Sequence, residues 1–348
     1  MNDQQGNSLW EDGPRANCSD TLPYGHEFFN EIPVVMKVII GICGGLTLIT
    51  IIIFLDELRC LIKSHKHENI LHKSIWLLGL YPVFSSTSLL AIVVPRSSLL
   101  DQLLASGYLS VVLHMFLNLM VSYYGGEAAF LHTVTNTKIA LRSPPIACCC
   151  CCCPMVLLNK KIYRIISAIV LQCAFIRPLI LYLSAVLWTE GLYVEGMLTR
   201  STVNTIFGVT ITLSTLLAMY GLILIFRASK DHLKHYHIVP KFICFQLVLV
   251  VSNLQIMVIS ILSSNNVFPC VGTLSPKIVG NVTHHGLLIF EMFLLALLAR
   301  FFYMKTLRDD ASYTTEIVAE NGINQGYNST SDMGNTTIKS NTDNISSA

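Results

Sequence analysis

Seven long apolar stretches constrain this chain more than any other feature. They fall near 34–55, 75–95, 103–124, 162–187, 203–226, 241–263 and 284–304. A helix needs about 20 mostly apolar residues to cross a ~30 Å hydrocarbon core, and each stretch has that length. Lipid offers no water to stray backbone groups, so spans of this kind are helical. Composition agrees: 53% of the 348 residues are hydrophobic and 13% are charged, against about 25% charged in soluble domains. Mean hydropathy is +0.58. The expected fold is an all-α integral membrane protein with seven transmembrane helices. The least regular stretch is the third, which carries His114 and Asn118. A net charge of +2 gives no reason to expect a nucleic-acid partner.

The loops set the expected orientation. Short cytosolic loops hold Lys and Arg. Loop 56–74 has Arg59, Lys63, Lys66 and Lys73; loop 125–161 has Lys138, Arg142, Lys160 and Lys161. Loop 227–240 has Arg227, Lys230 and Lys234, and Lys305 and Arg308 follow the last span. The alternate segments hold one basic residue each: Arg15, Arg96, Arg200 and Lys277. This alternation predicts an N-terminus outside and a C-terminus in the cytosol. Three regions follow: an extracellular segment 1–33, a seven-span domain 34–308 and a tail 309–348. The first 33 residues lack the basic and apolar regions of a cleavable signal peptide. The tail is rich in Ser, Thr, Asn and Gly with almost no apolar cluster, so it is expected to be disordered. Sequons at Asn17 and Asn281 fall on predicted outer segments and are glycosylation candidates, Asn281 lying close to a span. Those at Asn328, Asn335 and Asn344 fall on the cytosolic side and should be silent.

Six consecutive cysteines, Cys148, Cys149, Cys150, Cys151, Cys152 and Cys153, precede Pro154. Structural zinc needs four ligands spaced so that a loop folds around the ion, and adjacent cysteines converge poorly on one centre. A reducing cytosol disfavours disulfides. Juxtamembrane cysteines about ten residues before a span are acceptors for S-acylation. Each buried methylene contributes ~0.8 kcal/mol, and two or more chains anchor durably. Lys160, Lys161 and Arg164 beside the run add attraction to anionic lipids. Cys18 and Cys270 are the two cysteines on the predicted outer side and are a candidate disulfide.

The cysteine run following Gly125-Gly126-Glu127-Ala128, the Lys160-Lys161 pair and the stretch Leu287-Leu288-Ile289-Phe290-Glu291 together resemble the organic solute transporter alpha family. The order of spans matches over roughly 30–308. The resemblance implies a sodium-independent, bidirectional facilitator of bile acids, conjugated steroids and similar amphipathic anions. It implies a single-span beta subunit as obligate partner, contact with membrane lipids and room for a higher-order oligomer. It also implies a basolateral plasma-membrane location in epithelia, reached through the endoplasmic reticulum. No cofactor or metal is expected.

Polar side chains inside a bilayer are costly and usually face a bundle interior or cavity. At 1.5 Å per residue, Glu291 lies ~10 Å, Gln255 ~12 Å, Asn253 and Arg177 ~15 Å and His114 ~16 Å below the outer ends of their spans, with Ser85 to Ser88 at ~11–15 Å. These residues are substrate-path candidates, and the serines are expected to hydrogen-bond between helices. Arg177 and Glu291 carry two readings, a structural ion pair if the fourth and seventh spans are neighbours, or a wet path in which the guanidinium binds an anionic substrate. Pro178 removes a helix hydrogen bond beside Arg177. Arg300 is expected to snorkel to lipid head groups. Glu291 reads as the only deep intramembrane acid, which favours downhill over ion-coupled transport.

Three other classes share parts of this pattern. A rhodopsin-like receptor would carry an acidic-Arg pair after the third span and Asn-Pro on the seventh. Here 121–125 reads Val-Ser-Tyr-Tyr-Gly, and no proline lies within 284–304. A membrane metalloenzyme would use His65, His67 and His72 or His232, His235 and His237, but no HExxH or carboxylate-rich partner accompanies them. No catalytic residue is assigned. A seven-span scaffold or receptor-like signalling protein without transport is the alternative.

Overall fold

A computed structural model describes residues 23–64, 68–134, 138–140, 155–192, 202–230, 232–233, 237–265, 267–271 and 274–339. It holds helices α1 (Gly25–Glu31), α2 (Val34–Ser64), α3 (Glu68–Leu78), α4 (Leu80–Val93), α5 (Ser98–Ser122), α6 (Glu127–Val134), α7 (Lys160–Thr189), α8 (Thr202–Ser229), α9 (Ile238–Ser264) and α10 (Pro276–Lys339). A 3-10 turn at Pro95–Ser97 precedes α5. Strands β1 (Lys138–Ala140) and β2 (Met155–Leu157) form an antiparallel ribbon in which Ile139 faces Val156. Two compact units divide after Arg300.

Seven helical segments are long and apolar enough to cross a membrane: Val34–Ser64, Glu68–Val93, Pro95–Ser122, Lys160–Thr189, Thr202–Ser229, Ile238–Ser263 and Pro276–Thr306. This is the expected all-α, multi-pass architecture, with the small ribbon added. The seventh span begins eight residues earlier than its apolar run. Ser275 and Pro276 open it, and proline suits a first helical position because its missing N–H has no intrahelical partner there. Helix α10 continues past the last span to Lys339. Propagating a formed helix adds one hydrogen bond per residue fixed and is far easier than nucleating one, and no proline follows Pro276 to interrupt it.

Helix α5 is the hub of the first unit. It packs against α3, α4, α7 and α8, and α7 packs against α8. Val112, Phe116, Leu119 and Met120 of α5 are wholly buried. The Phe116 ring stacks on Phe245 of α9 at 5.1 Å between centroids and lies 5.8 Å from Phe242. Helix α2 is peripheral and turns Val35, Ile39, Ile42 and Ile52 outward, a surface suited to lipid. A separate apolar cluster joins Phe28 of α1, Ile40 and Cys43 of α2, Ile92 of α4 and Ile278 and Ile289 of α10.

Glycine shapes two junctions. Gly125 and Gly126 have φ of 87° and 120°, a conformation that side chains with a Cβ rarely adopt. They turn the chain from α5 into α6. Gly79 separates α3 from α4, and a Cβ there would collide with the Tyr108 hydroxyl, which donates to the Trp76 carbonyl at 2.9 Å. Buried hydroxyls mostly return to their own helix, as Thr47 does to Cys43 O and Ser110 to Ser106 O, each at 2.9 Å. Ser85 of α4 also shares a 2.9 Å hydrogen bond with Thr47 of α2, an interhelical link of the expected kind.

Candidate functional site

The polar residues of the spans gather at separate helix seams. Between α5 and α7 lies an open cavity of about 380 Å³. It is lined by His114, Leu117 and Asn118 of α5, Glu127 at the start of α6, and Tyr163, Arg164, Ser167, Ala168 and Leu171 of α7. His114 and Asn118 stand one turn apart and hydrogen-bond at 2.8 Å. The Ser167 hydroxyl is buried beside the Tyr163 hydroxyl. Asn159 caps the start of α7, its side-chain oxygen accepting from the Lys160 amide at 2.6 Å. That cap places Tyr163 and Arg164 on the first turns, at the mouth of the cavity.

Arg177 is on another face of α7. Its guanidinium donates to the Thr215 hydroxyl of α8 at 3.4 Å, and its Nε is buried without a partner. Gln172, on the same seam, donates to the Ser214 carbonyl at 3.1 Å. Helix α7 runs unbroken through Pro178. Glu291 lies on α10, with Oε2 buried and unbonded. Arg177 bonds Thr215 instead, and no Arg177–Glu291 ion pair exists among the described residues.

Gln255 of α9 donates to the His284 carbonyl of α10 at 3.4 Å. Asn253 returns its amide to Leu249 O of its own helix. The five path candidates therefore share a depth but not a chamber. His114 alone lines the α5–α7 cavity, Arg177 faces α8, and Gln255 reaches the backbone of the helix that carries Glu291.

Several buried polar residues had escaped notice in the sequence. His284 and His285 are 6% and 4% exposed, with ring centroids 5.1 Å apart. Both nitrogens of His285 and Nδ1 of His284 lack hydrogen bonds. Starting the seventh span at 284 put this pair at its edge; the Ser275-Pro276 helix start moves it inside. Glu57 of α2, beside the expected inner edge of the first span, is only 2% exposed. Beside it Asp56 accepts from Arg300 of α10 at 2.6 Å. Arg300 is thus an ion-pair partner rather than a free snorkelling cation, because α2 and α10 bring the two ends together.

Among the cysteines, Cys270 is disulfide-bonded, whereas Cys43, Cys60, Cys173 and Cys244 are free. Its candidate partner Cys18 lies outside the described residues, as do Asn17 and all six of Cys148 to Cys153. Asn281 sits within α10 and donates to the buried Ser98 hydroxyl at 3.2 Å.

A family model described as organic solute transporter Ostalpha matches residues 39–308. The chain belongs to the Ostalpha family. It is similar to the organic solute transporter subunit alpha of Leucoraja erinaceus, 32% identical over 76% of this chain and 75% of that one. The subunit alpha of Danio rerio is 28% identical over 83% and 88%. A Transmembrane protein 184 homolog of Dictyostelium discoideum is 25% identical over 61% of this chain and 42% of its own. No solved structure gives a significant match. Ostalpha is a family of membrane solute transporters and not an enzyme class. Among the described residues no three His, Cys, Asp or Glu side chains gather as a metal site. The Ostalpha match spans all seven membrane helices, so the cavity and the three polar seams lie within the family's shared region.

Proposed function

We propose that this chain is the alpha subunit of a heteromeric facilitator that moves bile acids, conjugated steroids and related amphipathic organic anions in either direction, without coupling to sodium. The Ostalpha match over 39–308 carries this reading. The relatives' designation as subunit alpha supports a second subunit, here taken as a single-span beta chain. Arginines at Arg164 and Arg177 on one membrane helix suit anionic solutes, because a guanidinium forks onto sulfate or carboxylate oxygens. The oxidised Cys270 supports an outer position for the segment between α9 and α10. That position supports an N-terminus outside and a C-terminus in the cytosol; residence in the plasma membrane, basolateral in epithelia, is proposed on the family resemblance.

The experiment is uptake of a labelled conjugated steroid by cells expressing the chain with and without the beta subunit. Saturable uptake that needs both chains and persists in sodium-free medium is expected. Uptake equal to that of untransfected cells, with the protein at the surface, would falsify the reading. A seven-span scaffold or receptor-like signalling protein without transport then becomes the better account. If Arg177→Met and Glu291→Gln both leave uptake and surface level unchanged, neither residue lies on the path. We further propose S-acylation of Cys148 to Cys153. It predicts a mass increase in protein from native membranes that hydroxylamine removes, and absence of that increase sinks the idea.

A further inference from the structure

We infer that the α5–α7 cavity is a binding site for the acidic head of an amphipathic monoanion entering from the end of the membrane where α7 begins. This rests on the transport reading and adds the place and the charge of the ligand.

A polar opening, a free cation and an apolar wall coincide here. Arg164 has no hydrogen-bond or ion-pair partner among the described residues. The arginines deeper in the membrane helices are engaged: Arg300 holds Asp56, and Arg177 holds Thr215. A free guanidinium beside Asn118, Tyr163 and Ser167 offers charge and several hydrogen-bond donors to one set of oxygens.

Leu117, Ala168 and Leu171 continue the same wall. From Arg164 to Leu171 the helix rises about 10 Å, enough for an apolar body to lie along it while its head stays at the mouth. The cavity volume of about 380 Å³ falls in the usual range for small-molecule sites, about 300–1,000 Å³. Glu127 adds selectivity. Its carboxylate at the rim repels a second negative charge, so ligands with one acidic group are favoured over those with two.

The test uses the purified transporter, with its partner subunit, in phosphatidylcholine nanodiscs and a tritiated steroid monosulfate as probe. Arg164→Gln should weaken binding by about tenfold or more, the usual range for a hydrogen bond to a charged group. Glu127→Gln should improve binding of a steroid disulfate relative to the monosulfate. Ser167→Trp should abolish binding by filling the cavity; if that variant does not assemble, Arg164→Gln, at an exposed position, carries the test. Unchanged monosulfate affinity in Arg164→Gln overturns the inference. So does loss of the probe on adding phosphatidylserine to the nanodisc, which would assign the same anion chemistry to a lipid head group. Arg164-dependent binding without uptake would overturn the transport reading and leave the site standing. Uptake with unchanged KM in Arg164→Gln would do the reverse.

Discussion

Where α2 meets α10 an arginine and a carboxylate are joined; where α5 meets α7 they stand apart. Asp56 and Arg300 close the first seam at 2.6 Å. At the second, Glu127 and Arg164 line one cavity without pairing. The same residue types thus serve two purposes. A paired guanidinium has spent its charge on a neighbouring helix, whereas an unpaired one keeps it for a solute. The core follows the same division. Phe116 packs α5 onto α9 with no exposure, while Ala168, on the cavity side of α7, is exposed.

The largest expected effect tests this contrast through packing. Phe116→Ala should cost about 3–5 kcal/mol, the usual price of a deleted buried aromatic. Ala168→Leu should change stability by under about 0.5 kcal/mol, as for surface sites. Thermal unfolding of both variants in one detergent measures the difference, and equal shifts would break the comparison. A smaller effect comes from the closed seam. Both partners of the Asp56–Arg300 pair are partly exposed, 57% and 35%, so a double-mutant cycle of Asp56→Asn and Arg300→Gln should give a coupling of only about 0.2–1 kcal/mol that added salt reduces. No coupling at low salt would mean that the seam is not held by charge. The smallest is Gln255→Leu. Its 3.4 Å bond to His284 O is long, so removal should cost about 0.6 kcal/mol, the average for interhelical hydrogen bonds in a bilayer. A loss several times larger would make the α9–α10 seam a principal support.

The seven spans were readable because lipid imposes a length and an apolar content on every crossing segment, whatever its partners. The start of the seventh was not read from hydropathy, since Asn281, His284 and His285 dilute the apolar signal; the Ser275-Pro276 helix start carried it instead. The polar path residues were readable one at a time, as expensive side chains at similar depth. Their grouping was not. Whether Arg177 meets Glu291 or Thr215 depends on which helices are neighbours, and depth says nothing about that. Asp56 and Arg300 are 244 residues apart in the chain, so their meeting is a property of the packed bundle. The cavity draws on three helices, and only His114 among its lining had been singled out as a path residue.

The ribbon between α6 and α7 has a mechanical consequence. Strands β1 and β2 are paired residue for residue from Lys138–Leu157 to Ala140–Met155, so the two ends of the intervening segment leave from one point, about 5 Å apart. Only Leu158 and Asn159 separate that point from the first turn of α7. A displacement of the ribbon is therefore delivered with almost no slack to the helix end that carries Tyr163 and Arg164.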